Sequence, residues 1–191
     1  MAVHVRDMLE ANYPEYSGWF SYPADKTIAF HKIDGEWGIF GNFARTPLVV
    51  DGVTFYSAES LFQVMKLTDP AARRHVHSMK GLWLKKQANK YAATVGRADW
   101  ASIFVDALKF CLMTKYAQCD AFRAELERTG NRVIVERAHG RADTYSAKLS
   151  ADGMTWTGGN LMGRLLMELR DKGGLDYRLP PDATIFSDLR E

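Results

Sequence analysis

The sequence predicts an α+β fold that is mainly α-helical, with small β-hairpins near the N-terminus. Two Asp-Gly pairs, at positions 34–35 and 51–52, each separate two runs of β-forming residues. After Tyr56 the apolar residues recur with the 3.6-residue period of a helix. The chain has 191 residues and is 47% hydrophobic, which is enough for one sizeable core. We therefore expect a single domain over residues 1–191.

Each Asp-Gly pair is predicted to form a tight hairpin turn. The type I′ turn needs positive φ at both central residues, and Asp-Gly is a favoured pair for it. The first hairpin would join residues 28–33 to residues 36–40. The second would join residues 48–50 to residues 53–56.

Later elements are predicted from caps and apolar stripes. Ser57 and Asp69 are suitable N-caps, and an apolar stripe over residues 103–112 indicates a central buried helix. Trp83 and Trp100 are predicted to be core residues. Further along, the sequence predicts a short strand at 133–135, an irregular segment at 136–157, a last helix after 158–160 and a surface tail after 174.

Charge and composition exclude several classes of protein. With 25 basic and 23 acidic residues the net charge is +2, so no strong global field favours duplex DNA or an anionic membrane. Basic residues do crowd positions 73–90, which fits either a local basic patch or a solvated helix face. No apolar stretch approaches 18 residues and no signal segment is visible, so we expect a cytoplasmic protein.

The two cysteines and the histidines do not indicate a disulfide or a metal site. Cys111 and Cys119 are eight residues apart on one predicted helix, roughly 12 Å along its axis, which is too far for a disulfide. No spacing typical of metal ligands is present. We expect free thiols and no bound metal.

The helix that begins after Ser57 carries three polar groups along one line. Gln63 and Lys66 follow Glu59 by four and seven residues, so all three project within a narrow arc. One carboxylate near an amide and an amine suits a transition state with positive charge at carbon, such as loss of a base from a ribosyl centre. The alternative is an amphipathic helix whose polar arc faces water.

Two other segments have features of a nucleotide site. The residues 158–160, with Gly163 one turn later, expose backbone N–H groups that suit a phosphate. The alternative is a glycine turn with an Asn cap, in which Gly163 permits close helix packing. Asn42 and Phe43 offer an amide and a ring for a base or ribose, or else belong to the core.

In these segments the chain resembles the NADAR domain family, the YbiA-like N-glycosidases. The family's first block joins a small residue and Asn-Phe, an Asp-Gly turn, and an aromatic-x-S-x-E-h-x-F-Q-x-x-K helix. These elements are similar to residues 41–43, 51–52 and 56–66. Its last block, G-x-N-x-h-G-x-h-L-M-x-x-R, is similar to residues 158–170. The resemblance implies a NADAR/YbiA-like core at about 26–172, with N- and C-terminal extensions.

The resemblance implies an N-glycosyl hydrolase that needs no cofactor. The first candidate substrate is ADP-ribosylated guanine in nucleic acid, from which ADP-ribose would be removed. The alternative is a phosphoribosylamino-pyrimidine intermediate of riboflavin biosynthesis. A second alternative is a non-catalytic module that binds ADP-ribose or another NAD-derived nucleotide, and a third is an interaction protein whose basic segment touches nucleic acid.

The resemblance also implies roles for particular residues. Glu59 is expected to act at the anomeric carbon, and Asp143 is expected to assist the leaving group as a second acid. The sequence departs from the family's D-x-x-W-G element at residues 143–147, where Trp and Gly are missing, so the substrate preference stays open. The residues expected to bind substrate are Asn42, Phe43, Ser57, Gln63, Lys66, Gly159, Asn160 and Gly163.

Overall fold

A computed structural model describes residues 5–190. These residues group into two compact units, unit 1 with residues 5–41 and 120–175, and unit 2 with residues 42–119 and 176–190. The elements in chain order are α1 (Val5–Asn12), β1 (Phe20–Pro23), β2 (Thr27–Phe30), β3 (Leu48–Val50), β4 (Val53–Phe55), α2 (Ala58–Met65), α3 (Pro70–His77), α4 (Gly81–Val95), α5 (Trp100–Gln118), α6 (Asp120–Arg128), β5 (Val133–Glu136), β6 (Ala147–Leu149), β7 (Thr155–Gly158) and α7 (Leu161–Lys172). The predicted α+β class is confirmed.

Unit 1 contains two small sheets and the helices α1, α6 and α7. Strand β7 lies between β1 and β6 and is antiparallel to both, while β2 pairs in parallel with β5. Val135, Ala147 and Trp156 form a buried cluster in this unit. The prediction of an irregular segment at 136–157 is wrong in part, because β6 and β7 lie there. Strand β7 pairs with its sequence neighbour β6 and also with β1, which lies near the N-terminus and is distant in sequence, so local patterns did not reveal this sheet.

The first predicted hairpin does not form. Strand β2 pairs with β5 instead of with residues 36–40, which end in a 3-10 turn at Gly38–Phe40. Trp37 adopts a left-handed φ of 61°, and both Trp37 and Phe40 are buried. Alternation along a strand would have placed these two rings on opposite faces, because they are three residues apart. The compact turn lets both enter the core.

Unit 2 contains the hairpin of β3 and β4, the helices α2 to α5 and the C-terminal tail. The second predicted hairpin is confirmed, since Asp51 and Gly52 have φ values of 50° and 74° and β3 pairs antiparallel with β4. The side chains of Ser57 and Asp69 cap α2 and α3 as predicted. In both helices the cap satisfies a backbone N–H that would otherwise lack a partner.

The tail after residue 175 contributes to the core of unit 2. Phe186 is fully buried, and its ring centroid lies 4.8 Å from that of Phe55. Arg97 donates to the carboxylate of Asp182, which fixes the tail by an ion pair. The predicted surface segment is therefore partly internal. The tail has only two aromatic residues, Tyr177 and Phe186, which is too sparse a pattern to predict this.

Helix α4 buries only a narrow face. Leu84 and Ala88 are buried, whereas Leu82 and Trp83 are each 67% exposed. The prediction that Trp83 is a core residue is wrong, because position 83 lies about 100° around the helix from Leu84. Trp100 is half-buried, and its ring centroid is 5.0 Å from that of Phe62.

Two kinds of feature are absent from residues 5–190. No helix in this range is long and apolar enough to cross a membrane. The same range contains no group of three or more His, Cys, Asp or Glu side chains able to hold a metal ion. Cys111 and Cys119 are free thiols, as predicted. Burial raises the pKa of Cys111 well above its usual value, so this thiol stays protonated at neutral pH.

Lys115 gives the stability of the protein a pH dependence. Its side chain is fully buried in α5, and burial lowers its pKa from 10.5 to about 7. The unfolded chain therefore holds this proton up to a higher pH than the folded chain does. Stability rises as pH increases from about 7 toward 10.5, and below pH 7 the full cost of the buried charge is present.

We expect Lys115→Met to remove this dependence while keeping a long side chain. Between pH 7 and pH 9 the wild type should gain roughly 2 kcal/mol relative to the variant, since one pH unit corresponds to about 1.4 kcal/mol. Denaturant unfolding at several pH values measures the difference. Lys90→Met, at an exposed position of α4, is the matched control. If the difference in unfolding free energy between the wild type and Lys115→Met does not change with pH, the lowered pKa of Lys115 is contradicted.

Candidate functional site

The three polar groups predicted on α2 lie together, and the first two are buried. Glu59 and Gln63 are only 5% and 2% exposed, and Gln63 Nε2 donates to Glu59 Oε1 at 3.0 Å. Helices α3, α4 and α5 all contact α2. The alternative of a polar arc in water is therefore wrong for Glu59 and Gln63. Lys66 follows them at the C-terminal end of the helix and is half-buried.

Two backbone contacts fix the first turn of α2. Ser57 Oγ accepts a hydrogen bond from Ser60 N, and the backbone N of Glu59 donates to Asn42 O at 2.8 Å. The predicted pair of Asn42 and Phe43 therefore lies beside the start of this helix. The backbone of Glu59 is therefore fixed by Asn42, and its carboxylate accepts the hydrogen bond from Gln63.

Lysines from two helices surround this carboxylate. Lys85 Nζ, on α4, lies 3.9 Å from Glu59 Oε1 and 5.9 Å from the centroid of the Phe43 ring. Lys66 Nζ donates to Asn89 Oδ1, also on α4, at 2.6 Å. One carboxylate near two ammonium groups leaves an excess of positive charge. Such an arrangement suits a substrate that carries phosphate.

The pKa of Glu59 reflects opposing effects. Burial raises the pKa of its carboxyl, while the charge of Lys85, the hydrogen bond from Gln63 and the charge of Lys66 lower it. Burial also lowers the pKa of Lys66, an effect that Lys85 reinforces and Glu59 opposes. A buried carboxyl with a raised pKa and a specific charged partner is typical of groups that exchange protons in catalysis.

Two buried oxygen atoms on α2 have no hydrogen-bond partner within the described residues, Gln63 Oε1 and Ser60 Oγ. A buried polar atom without a partner costs about 1–3 kcal/mol, so it calls for an explanation. Gln63 Nε2 donates to Glu59, so the carbonyl oxygen of Gln63 remains available to accept a hydrogen bond. A hydroxyl group of a ribose could donate to this oxygen.

The glycine turn before α7 belongs to unit 1. Its backbone N–H groups, which the sequence suggested for a phosphate, donate to carbonyl oxygens of residues 143–146 at 3.0–3.4 Å. The donors are the backbone nitrogens of Gly159, Asn160, Leu161 and Met162. These hydrogen bonds give the turn a structural role, and its role in phosphate binding stays a prediction.

Asn160 and Gly163 connect α7 to β5. The fully buried side chain of Asn160 donates from Nδ2 to Ile134 O at 2.9 Å and accepts at Oδ1 from Glu136 N at 3.1 Å. A Cβ atom at Gly163 would lie 2.1 Å from Ile134 O. The contact at Gly163 agrees with the alternative interpretation, in which Gly163 permits close packing of the helix. The predicted Asn cap is wrong, because the side chain of Asn160 bonds to β5 and makes no capping hydrogen bond to α7.

Asp143, the predicted second acid, is an exposed residue of unit 1. Its Oδ1 accepts hydrogen bonds from the backbone N of Tyr145 and from both N and Oγ of Ser146. These bonds organise the turn at residues 143–146. A catalytic role for Asp143 stays a prediction.

The sequence analysis missed two residues of the site, Lys85 and Asn89. They are four residues apart, so they share one face of α4. The sequence shows this spacing, but the basic residues around position 85 are equally typical of a helix face in contact with solvent. Only the approach of α4 to α2 brings them to Glu59 and Lys66.

The fold and the site define a small α+β protein with a buried carboxylate that two lysines approach. The sequence matches the NADAR domain family over residues 29–172, and the chain belongs to this family. The resemblance inferred from the two sequence blocks is therefore confirmed.

Several known proteins are similar to this chain. Proteins named N-glycosidase YbiA from Escherichia coli (strain K12) and Shigella boydii are 30% identical to it over 148 residues, covering 78% of this chain and 89% of theirs. The NMR structure of the E. coli protein YbiA has a TM-score of 0.64 and 28% identity, covering 78% of this chain and 84% of that one. The riboflavin biosynthesis protein VVA0006 of Vibrio vulnificus is 25% identical, covering 78% of this chain and 39% of its own length.

Proposed function

We propose that this protein is an N-glycosidase that removes ADP-ribose from guanine bases of nucleic acid. The observation that carries the proposal is the carboxylate of Glu59, which is almost completely buried beside Gln63 and Lys85. The relatives named N-glycosidase support the reaction type. The cytoplasmic location expected from the sequence is part of the same proposal.

In the proposed reaction, Glu59 in its ionised form stabilises positive charge at the anomeric carbon and takes a proton from the attacking water. The oxygen of this water forms a bond to the anomeric carbon as the bond from that carbon to the base nitrogen breaks. The electron pair of the broken bond leaves with the base, which gains the proton that Glu59 took from the water. Lys66 and Lys85 hold phosphate oxygens, while Gln63 Oε1 accepts from a ribose hydroxyl. Asn42 and Phe43 position the base or the adjoining ribose.

A second candidate substrate is a phosphoribosylamino-pyrimidine intermediate of riboflavin biosynthesis. The relative in Vibrio vulnificus that carries a riboflavin biosynthesis name favours it. Both candidates need the same step at the anomeric carbon of a phosphorylated ribose. They differ in the size of the group attached to that carbon.

The test is incubation of the protein with a guanine-ADP-ribosylated oligonucleotide and, separately, with the riboflavin intermediate. Mass spectrometry identifies the products. Release of ADP-ribose from the oligonucleotide alone supports the proposal, whereas cleavage of the intermediate alone supports the second candidate. Tight binding of ADP-ribose with no turnover of either substrate would indicate a non-catalytic module.

The ammonium group of Lys85 is expected to set the pH range in which Glu59 works. Lys85 lowers the pKa of Glu59 more than the other neighbouring groups do. Lys66 on α2 is the other cation near this carboxyl, and the Cys111 thiol on α5 also interacts with it. Replacing Lys85 with Met should therefore raise the pKa of Glu59. Since the ionised form is the active one, the acid limb of the kcat/KM profile should move to higher pH.

The measurement is kcat/KM against pH with a small ribosyl substrate, for the wild type and Lys85→Met. Lys26→Met, an exposed lysine in unit 1, controls for the loss of one surface charge. If the acid limb of Lys85→Met lies at the same pH as that of the wild type and only KM increases, Lys85 acts in substrate binding and does not tune the pKa of Glu59.

A further inference from the structure

The outer face of α4 exposes a tryptophan among lysines. Trp83 is 67% exposed, and Lys86 Nζ lies 5.0 Å from the centroid of its ring. Lys90 follows Lys86 by four residues, so the three side chains form one stripe along the helix. Tryptophan is enriched at binding interfaces because its ring is largely apolar and also carries a polar N–H group.

The charge of α4 differs from that of the whole chain. The helix contains three lysines, at positions 85, 86 and 90, and no acidic residue. The chain as a whole has 25 basic and 23 acidic residues, so positive charge is concentrated on this helix. A concentrated positive surface attracts a polyanion even when the net charge of the protein is small.

The stripe lies next to the site of Glu59. Lys85 and Asn89 approach Glu59 and Lys66, and Lys86 follows Lys85 by one residue. One residue along a helix is a rotation of about 100° and a rise of about 1.5 Å. The stripe therefore adjoins the face of α4 whose lysine approaches Glu59.

We propose that Trp83, Lys86 and Lys90 bind a single-stranded nucleic acid that continues from the base held at Glu59. Unpaired bases stack on an exposed aromatic ring, and lysines beside the ring pair with the phosphates of the same strand. In a duplex the bases are already stacked and paired, so the ring would be left unused. This inference rests on the proposed function for the position of the reacting base.

A protein partner matches this surface less well. A stable protein interface buries about 800 Å² on each partner and is poor in lysine at its centre. The exposed large apolar residues of α4 are only Leu82 and Trp83. An acidic peptide would use the lysines but leave the ring without a role.

The experiment measures binding of an unmodified fluorescent oligothymidine of about 12 nucleotides, a length within the range of single-strand sites. Fluorescence anisotropy gives Kd for the wild type, Trp83→Ala and the control Trp19→Ala. Trp19 is a tryptophan of unit 1 with similar exposure, 54%. We expect Trp83→Ala to raise Kd about 10-fold and Trp19→Ala to leave it unchanged. Equal effects of the two substitutions, or no binding by the wild type, would overturn the proposal.

The salt dependence provides a second readout. The double variant Lys86→Met, Lys90→Met should reduce the slope of log K against log salt by about 1.4, since each phosphate contact with a single strand contributes about 0.7. An unchanged slope would also overturn the proposal. So would binding of anionic phosphatidylserine vesicles that depends on Trp83 while oligothymidine binding does not.

The binding and hydrolysis measurements distinguish a wrong assignment of the binding surface from a wrong assignment of the glycosidase activity. Because the oligonucleotide is unmodified, its binding does not need turnover. Binding that depends on Trp83 in a protein without hydrolase activity would retain the surface and reject the reaction. If the protein hydrolyses a small ribosyl substrate and Trp83→Ala binds oligothymidine as the wild type does, the reaction is retained and the binding surface is rejected.

Discussion

Replacing Glu59 with Gln is expected to lower kcat by about 100-fold or more, the usual scale for a group that transfers a proton or stabilises charge in the transition state. Gln keeps the shape of the side chain and can still contact Gln63, but it has no charge. The ion-pair partner of Glu59, Lys85, is 48% exposed, so loss of the Glu59 charge leaves this cation in contact with water and should not destabilise the fold. Kinetics on the oligonucleotide and on the small substrate measure the loss.

Glu127→Gln is the matched control, since Glu127 is exposed on α6 in unit 1. It should retain the activity of the wild type. Thermal unfolding must show that Glu59→Gln remains folded. A folded variant with turnover close to that of the wild type would exclude Glu59 as the catalytic carboxylate, whichever substrate is used.

Replacing Gly163 with Ala should produce the largest loss of stability. Ala normally favours a helix over Gly by about 1 kcal/mol. At this position its Cβ would lie 2.1 Å from Ile134 O and 2.5 Å from Asn160 Oδ1, so α7 must move away from β5. We expect a loss of about 3 kcal/mol, with a fall in the unfolding midpoint of roughly 10 °C.

Gly140→Ala is the control for this prediction. A Cβ atom at Gly140 would meet no atom within 4 Å, and its φ is not in the left-handed region. Differential scanning calorimetry compares the two variants with the wild type. An unchanged or raised midpoint in Gly163→Ala would show that α7 and β5 are not held together at this contact.

The sequence predicted much of unit 2 because its signals are local. The cap at Ser57 and the turn at Asp51 depend on residues only a few positions apart, and both were confirmed. The hairpin predicted around residues 34–35 failed because β2 pairs with β5, about a hundred residues later. Phe186 is buried in the core of unit 2, and no repeating apolar pattern in the tail predicts its burial.

For the candidate site, the sequence by itself determined the family and placed Glu59, Gln63 and Lys66 along one helix. It could not decide whether this line faced water, because the same spacing suits both an exposed and a covered face. Tertiary structure decided that Glu59 is buried and that Lys85 and Asn89 approach from α4. The physical reason is that periodicity depends on the turn of one helix, whereas burial and pKa depend on elements that are distant in sequence.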